Sequence, residues 1–126
     1  MSKLINVVAA IIKKNDYYLI VQRNKNKYLG LKWEFPGGKV NINENFEDAL
    51  KREIKEELDI LISVNQKIAV ENYKDKQIDI ILHYYLCVQK SGMIKLNEHE
   101  DLTWVLKQDF NKYDFAGSDK KIFPLL

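Results

Sequence analysis

The chain has 126 residues, 46% of them hydrophobic and 30% charged, with a net charge of +2. That is the balance of an ordinary soluble protein with enough length for one real core. The charge excess is too small to attract nucleic acid by bulk electrostatics. A single cysteine, Cys87, rules out an internal disulfide and offers no zinc-binding pattern.

No apolar stretch is long enough to span a membrane. Leu4 to Ile12 is apolar but is followed by Lys13-Lys14-Asn15 rather than a small-residue cleavage site. It reads as a core strand and not a signal peptide. The expectation is a cytoplasmic protein with one domain over residues 1–126, without repeats or linkers.

Leu4 to Lys13 is rich in valine and isoleucine and predicts a strand. Asn15-Asp16 predicts a turn, and Tyr17 to Arg23 the returning strand of a hairpin. A polar loop follows over Asn24 to Gly30. Lys32 to Pro36 is read as extended, with Gly37-Gly38 turning the chain towards a helix. Asn45 is a good N-cap, and Asp48 three residues later completes a capping-box-like pair. Two further strands are predicted over Ile62 to Tyr73 and Gln77 to Gln89, with Lys74-Asp75-Lys76 as their turn. Leu102 to Leu106 predicts a short strand, and Lys107 to Asp114 a loop or short helix. Ser118 to Leu126 predicts a final short helix, capped by Ser118 and limited by Pro124. Strands, one strong helix, more strands and a last helix predict an α/β fold with a mixed sheet between helices.

The helix after Asn45 carries the chemistry. At about 100° per residue, Phe46, Ala49, Leu50, Ile54 and Leu58 form one apolar stripe. Asp48, Lys51, Arg52, Lys55 and Asp59 fall on the opposite, solvated side. Glu53, Glu56 and Glu57 stand at i, i+3 and i+4, so their carboxylates converge. Three like charges beside an apolar stripe repel one another and lose solvation. Such a cluster calls for a cation, and hard oxygen ligands favour Mg²⁺ or Mn²⁺.

The spacing around this helix is specific. Gly38 is followed by five residues, Glu44, seven residues, and then Arg52-Glu53-Ile54-Lys55-Glu56-Glu57-Leu58-Asp59-Ile60. The pattern resembles the Nudix signature, G-x5-E-x7-R-E-U-x-E-E-x-G-U, where U is aliphatic. Asp59 replaces the second glycine. That glycine usually takes a left-handed turn after the helix, a conformation aspartate tolerates better than most residues.

The resemblance runs over nearly the whole chain. Its other carriers are Val7-Val8-Ala9-Ala10-Ile11-Ile12, Gln22-Arg23, Trp33-Glu34-Phe35-Pro36-Gly37-Gly38-Lys39, Glu98-His99-Glu100 and the tail near Asp119. The match is to the small Nudix subgroup of oxidised-dGTP diphosphatases and CTP pyrophosphohydrolases. It implies an α/β/α sandwich around a mixed sheet and Mg²⁺-dependent attack of water on a nucleoside triphosphate, giving a monophosphate and pyrophosphate. The implied partner is the nucleotide alone, with no nucleic acid or membrane, on a monomer or homodimer.

By position, the resemblance assigns metal to Glu53, Glu56 and Glu57 with the Gly38 carbonyl. Glu44 and Arg52 are read as a supporting pair lying off the carboxylate cluster. Glu98 matches a loop acid that ligates metal or takes the proton of water; an exposed loop acid is the other reading, with Glu100 the alternative acid. The general base is left open among these carboxylates. Arg23 matches an arginine beside the nucleotide phosphate or sugar, against an ordinary solvated arginine. Lys39 is placed to neutralise phosphate. Phe35 either walls a base pocket or fills the core, as do Trp33 and Tyr28.

Asp119 stands where the cytidine enzymes of the subgroup carry aspartate and the oxidised-dGTP enzymes asparagine. A carboxylate only accepts hydrogen bonds, which suits the exocyclic amine of cytosine. The competing reading is a charge at a helix N-terminus. Other open readings are a Nudix enzyme for ADP-ribose or a dinucleoside polyphosphate, and a non-catalytic nucleotide sensor.

Overall fold

The computed structural model describes residues 4–126. Seven strands run in chain order as β1 (Leu4–Lys14), β2 (Tyr17–Gln22), β3 (Trp33–Glu34), β4 (Gly37–Lys39), β5 (Leu61–Lys74), β6 (Asp79–Ser91) and β7 (Asp101–Leu106). One α-helix, α1 (Phe46–Leu58), lies between β4 and β5. Two 3-10 segments, Lys107–Lys112 and Asp119–Leu125, follow β7.

The sheet order is β3-β2-β1-β6-β5, with β4 added on β1 and β7 on β2. Among the named strands of the described residues, β1 and β6 pair in parallel, from Leu4↔Asp79 to Ile12↔Cys87, and the other strand pairs are antiparallel; Trp33 of β3 also makes an isolated parallel bridge to Phe115. The β1–β2 hairpin turns at Asn15, which adopts a left-handed φ of 55°. Its pairing is short, Lys13↔Tyr18 and Lys14↔Tyr17, because β4 occupies the same edge of β1 from Val7 to Ala9. That wedge opens the sheet between β1 and β2 and leaves room for a cleft.

Side chains alternate across a strand, and β1 shows the consequence. Val8, Ala10 and Ile12 face one cluster together with Ala49, Leu50, Ile54 and Leu58 of α1. Ala9 and Ile11 face the other, with Tyr18, Ile20, Phe35, Tyr84, Phe110 and Ile122. Burying each leucine or isoleucine of the helix stripe contributes about 1.5–3 kcal/mol.

The helix ends follow the residues that flank it. Asn45 Oδ1 accepts from the Asp48 N–H at 2.8 Å, and Asn45 Nδ2 donates to Asp48 Oδ2 at 3.0 Å. At the other end Asp59 takes φ 57° and ψ 34°, and its N–H bonds to the Lys55 carbonyl. The left-handed turn is therefore made without glycine, with Lys55 Nζ 2.8 Å from the Asp59 carboxylate.

The predicted short helices after β7 form as 3-10 segments and make the layer opposite α1. Two expectations are corrected. Gly37-Gly38 belong to strand β4 and do not form a turn. Ser118 makes no side-chain cap to the last segment; its hydroxyl lies 3.1 Å from the Tyr84 hydroxyl instead. Strand β5 also runs one residue past each predicted limit, whereas β6 starts two residues later than predicted and ends two residues later. Asp75 Oδ1 closes their turn by accepting from the N–H groups of Gln77 and Ile78.

Candidate active site

The helix α1 and strand β4 bring the signature residues together. Gly37 pairs with Ala9 and Gly38 with Val8 on β1. A Cβ on Gly37 would overlap the Val8 carbonyl, and one on Gly38 would overlap the Glu53 carboxylate. Glycine is needed at Gly37 for close approach to the sheet backbone, whereas a side chain at Gly38 would displace the Glu53 carboxylate.

Arg52 organises the acids. Its Nε and Nη2 make a fork onto Glu44 at 2.8 and 3.0 Å, and Nη2 also donates to the Lys39 carbonyl at 2.9 Å. Its Nη1 reaches Glu53 at 2.9 Å and lies 3.4 Å from both oxygens of Glu56. The expectation that Arg52 lies off the carboxylate cluster is therefore corrected. The Cα is on the solvated side, but the long side chain folds back over the acids. The Arg52 hydrogen bond is the main cause holding the Glu44 carboxyl below its usual range. Arg52 itself is held further into its charged form, mainly by Glu44.

Glu57 has no such partner. It is 3% exposed, and its Oε1 has no hydrogen bond. Burial, then the hydrogen bond and charge of Glu53, push its carboxyl far above the usual range, with Glu34 and Glu98 adding to the effect. His99 lies close by, its Nε2 3.5 Å from Glu34 and 3.7 Å from Glu57. The His99 Nδ1 is buried without a partner.

A cavity of about 700 Å³ opens above these groups. Gly38, Glu53, Glu57 and Glu98 line one end, Arg23, Glu34 and Lys39 border it, and Asp119 and Phe35 lie in its wall. Glu44, Arg52 and Glu56 do not line it. Glu98 is exposed. Glu100 is turned away, accepting from the Lys25 N–H at 3.0 Å and so holding the loop after β2. Arg23 is not a free solvated side chain. Its Nη1 pairs with Glu34 at 2.8 Å and its Nε donates to the Tyr28 carbonyl at 2.7 Å.

Phe35 serves both sides. Its ring is 3% exposed and packs with Phe110, Phe115 and Phe123. Its backbone N–H donates to Asp119 Oδ2 at 3.0 Å. Asp119 is 4% exposed, and its Oδ1 accepts from the Tyr84 hydroxyl at 2.6 Å. Burial pushes the Asp119 carboxyl up to about 7, against the opposing pull of the Tyr84 and Phe35 donors. Asp119 begins the last 3-10 segment, but it is no solvated helix-end charge. Its oxygens reach across to β6 and to the residue after β3.

Glu34, His99 and Tyr84 carry no role in the sequence reading. Glu34 and His99 stand inside motif stretches, yet their meeting with Glu57 depends on packing. Tyr84 lies 35 residues from Asp119, in a strand whose pattern signals only burial.

The donor set suits a hard divalent cation. It consists of carboxylate oxygens and a carbonyl, and it includes the buried, unpartnered Glu57 oxygen, whose ionised form needs positive charge. Among the described residues no three His, Cys, Asp or Glu side chains already form a metal cage. Arg52 draws Glu53 and Glu56 towards itself, so these side chains must turn to serve a common ion.

The NUDIX domain family matches residues 3–126 of the chain. The CTP pyrophosphohydrolase of Escherichia coli (strain K12) is 35% identical over 124 residues, covering 98% of this chain and 90% of the relative. The 8-oxo-dGTP diphosphatase of Buchnera aphidicola subsp. Schizaphis graminum (strain Sg) is 35% identical over 116 residues, covering 92% and 87%. The solution structure of the E. coli ORF135 protein superposes with a TM-score of 0.86 at 32% identity, covering 98% of this chain and 88% of that one. The chain belongs to the Nudix hydrolase family, whose members generally use a divalent metal. No helix among the described residues is long and apolar enough to cross a membrane.

Proposed function

We propose that this chain is a Mg²⁺-dependent pyrophosphohydrolase that converts a cytosine nucleoside triphosphate, including a modified one, and water to the monophosphate and pyrophosphate. It would act on the cytoplasmic nucleotide pool as a monomer or homodimer in one domain over residues 1–126. The observation that carries this reading is one cavity lined by both Glu57, whose Oε1 has no hydrogen bond, and Asp119. Its volume of about 700 Å³ is in the range of small-molecule sites. The name of the E. coli relative points to the same base.

Each residue has a role in this reading. Glu53, Glu56, Glu57, the Gly38 carbonyl and Glu98 hold Mg²⁺, with Mn²⁺ an alternative. When bound, the cation neutralises phosphate charge and lowers the pKa of water. These carboxylates also take the proton of the attacking water as the anhydride between the α- and β-phosphates breaks. Arg52 and Glu44 fix the carboxylates against β4. Arg23 faces phosphate or sugar, Lys39 neutralises phosphate, Phe35 backs the base, and Asp119 accepts from the 4-amino group of cytosine.

The test is hydrolysis with and without Mg²⁺ of dCTP, 5-methyl-dCTP, CTP, 8-oxo-dGTP, dGTP, ADP-ribose and a diadenosine polyphosphate, with products identified. Preference for the cytosine set with release of pyrophosphate supports the reading. Preference for 8-oxo-dGTP keeps the chemistry and discards the base. Binding without turnover makes the chain a sensor.

Gly38→Ala provides an independent check on the metal end. The added methyl must displace Glu53, and a misplacement near 1 Å costs about 100-fold in rate. The thermal midpoint should change little, because a side chain yields rather than backbone. Gly37→Ala meets the Val8 backbone and should lower the midpoint. Equal activity of Gly38→Ala and wild type would contradict the placement of Glu53.

A further inference from the structure

Tyr84 is fully buried in the middle of β6, paired through its backbone with Ala9 of β1 and Ala69 of β5. Its ring lies in the apolar layer with Phe35, Phe110 and Ile122, where a hydroxyl needs a partner. The hydroxyl finds two, Asp119 Oδ1 at 2.6 Å and Ser118 Oγ at 3.1 Å. Tyr84 does not line the cavity, whereas Ser118 and Asp119 do. It stands behind the wall.

Asp119 is held at both oxygens, by Tyr84 at one and by the Phe35 N–H at the other. Among the described residues, Tyr84 is its only side-chain donor. Glu34 of β3 and Arg23, just after β2, act on the carboxylate through space and pair with each other. Glu71 of β5 acts on the Tyr84 hydroxyl. A carboxylate oxygen accepts at two lone pairs, so each keeps capacity for a ligand while the group as a whole cannot swing freely.

We propose that Tyr84 is the positioning residue for base selectivity. Its hydroxyl holds Asp119 as a fixed hydrogen-bond acceptor, so that a pyrimidine with a 4-amino group is taken and one with a 4-oxo group is refused. This rests on the cytosine reading above. The amine of cytosine donates where the carbonyl of uracil only accepts. A carboxyl released from Tyr84 keeps only the Phe35 N–H at Oδ2; its Oδ1 can shift or carry a proton, and it then offers a donor to the uracil carbonyl. Tyr84→Phe keeps the buried ring and removes only this constraint.

The experiment compares kcat and KM for dCTP and dUTP in wild type, Tyr84→Phe and Ser118→Ala, with folding checked by circular dichroism. Wild type should prefer dCTP. In Tyr84→Phe the KM for dCTP should rise about tenfold, as for one lost charge-assisted hydrogen bond. The kcat should fall far less and dUTP should lose less than dCTP, so the preference narrows. Ser118→Ala, which frees the Tyr84 hydroxyl on its other side, should narrow the preference by about threefold and carries the test if Tyr84→Phe does not fold. A dCTP preference that survives in the folded variants overturns the proposal and spares the cytosine reading. Equal losses for both nucleotides overturn it too, since they mark Tyr84 as an anchor of the C-terminal segment alone. A wild type without dCTP preference removes the cytosine reading and this proposal together.

Discussion

Glu57→Gln is expected to lower kcat by about 10³-fold, the equivalent of roughly 4 kcal/mol of transition-state stabilisation lost with an acidic metal ligand. The fold should survive. Glu57 is almost completely buried beside Glu53, and its Oε1 has no partner. An amide of the same shape is neutral, the state that burial and Glu53 already favour at this position without metal. The thermal midpoint without metal should therefore be no lower than in wild type. Mg²⁺ at about 100 times its dissociation constant should stabilise wild type by about 2.7 kcal/mol, a rise in midpoint on the order of 10 °C for a chain of this size. The variant, binding at least tenfold more weakly, should show no more than about half of that rise. Turnover and thermal denaturation at matched Mg²⁺ check both halves; wild-type turnover in the variant would remove Glu57 from the site.

Asp119 should make the protein respond to pH in a direction opposite to a salt-bridged acid. Its folded carboxyl is pushed up to about 7 from an ordinary 3.8, chiefly by burial. Below about pH 4 the folded and unfolded forms are both protonated. Between there and about 7 the unfolded chain sheds a proton that the folded chain keeps, so stability falls as pH rises. Above about 7 the loss is complete, on the order of 4 kcal/mol at most. Asp119→Asn cannot titrate. Chemical denaturation from pH 4 to 8 should therefore show the variant gaining on wild type across that window. The base-reading role runs the other way. The KM for dCTP should worsen as pH falls through about 7, because the acceptor is then protonated. A constant stability difference between the two proteins would show that Asp119 ionises normally.

The parts of this site that neighbours in sequence determine were readable before the fold. Asn45 and Asp48 are three residues apart, and their mutual cap forms as the residue types predict. Of the predicted stripe, Ala49, Leu50, Ile54 and Leu58 are buried and Phe46 is half-buried against the same core. The left-handed Asp59 also follows from its place after the helix. Long-range geometry was not readable. Helical phase places the Arg52 Cα but not a guanidinium that reaches Glu44, Glu53 and Lys39. A pair of glycines reads as a turn, whereas Gly37 and Gly38 pair with Ala9 and Val8 of β1 as a strand, where an added Cβ would meet Val8 or Glu53. Ser118 has the composition of a helix cap, but the Tyr84 hydroxyl competes for its side chain. The convergence of Glu34, His99 and Glu57 joins β3, the loop before β7 and α1, and no local spacing announces it.

The central claim is that the Glu53–Glu56–Glu57 face of α1 is a divalent-cation site. Calorimetric titration of Mn²⁺ into wild type and Glu57→Gln tests it without reference to any substrate. Saturable binding in wild type, weakened at least tenfold in the variant, is the predicted result. Equal binding by the two proteins, or none by wild type, would contradict it.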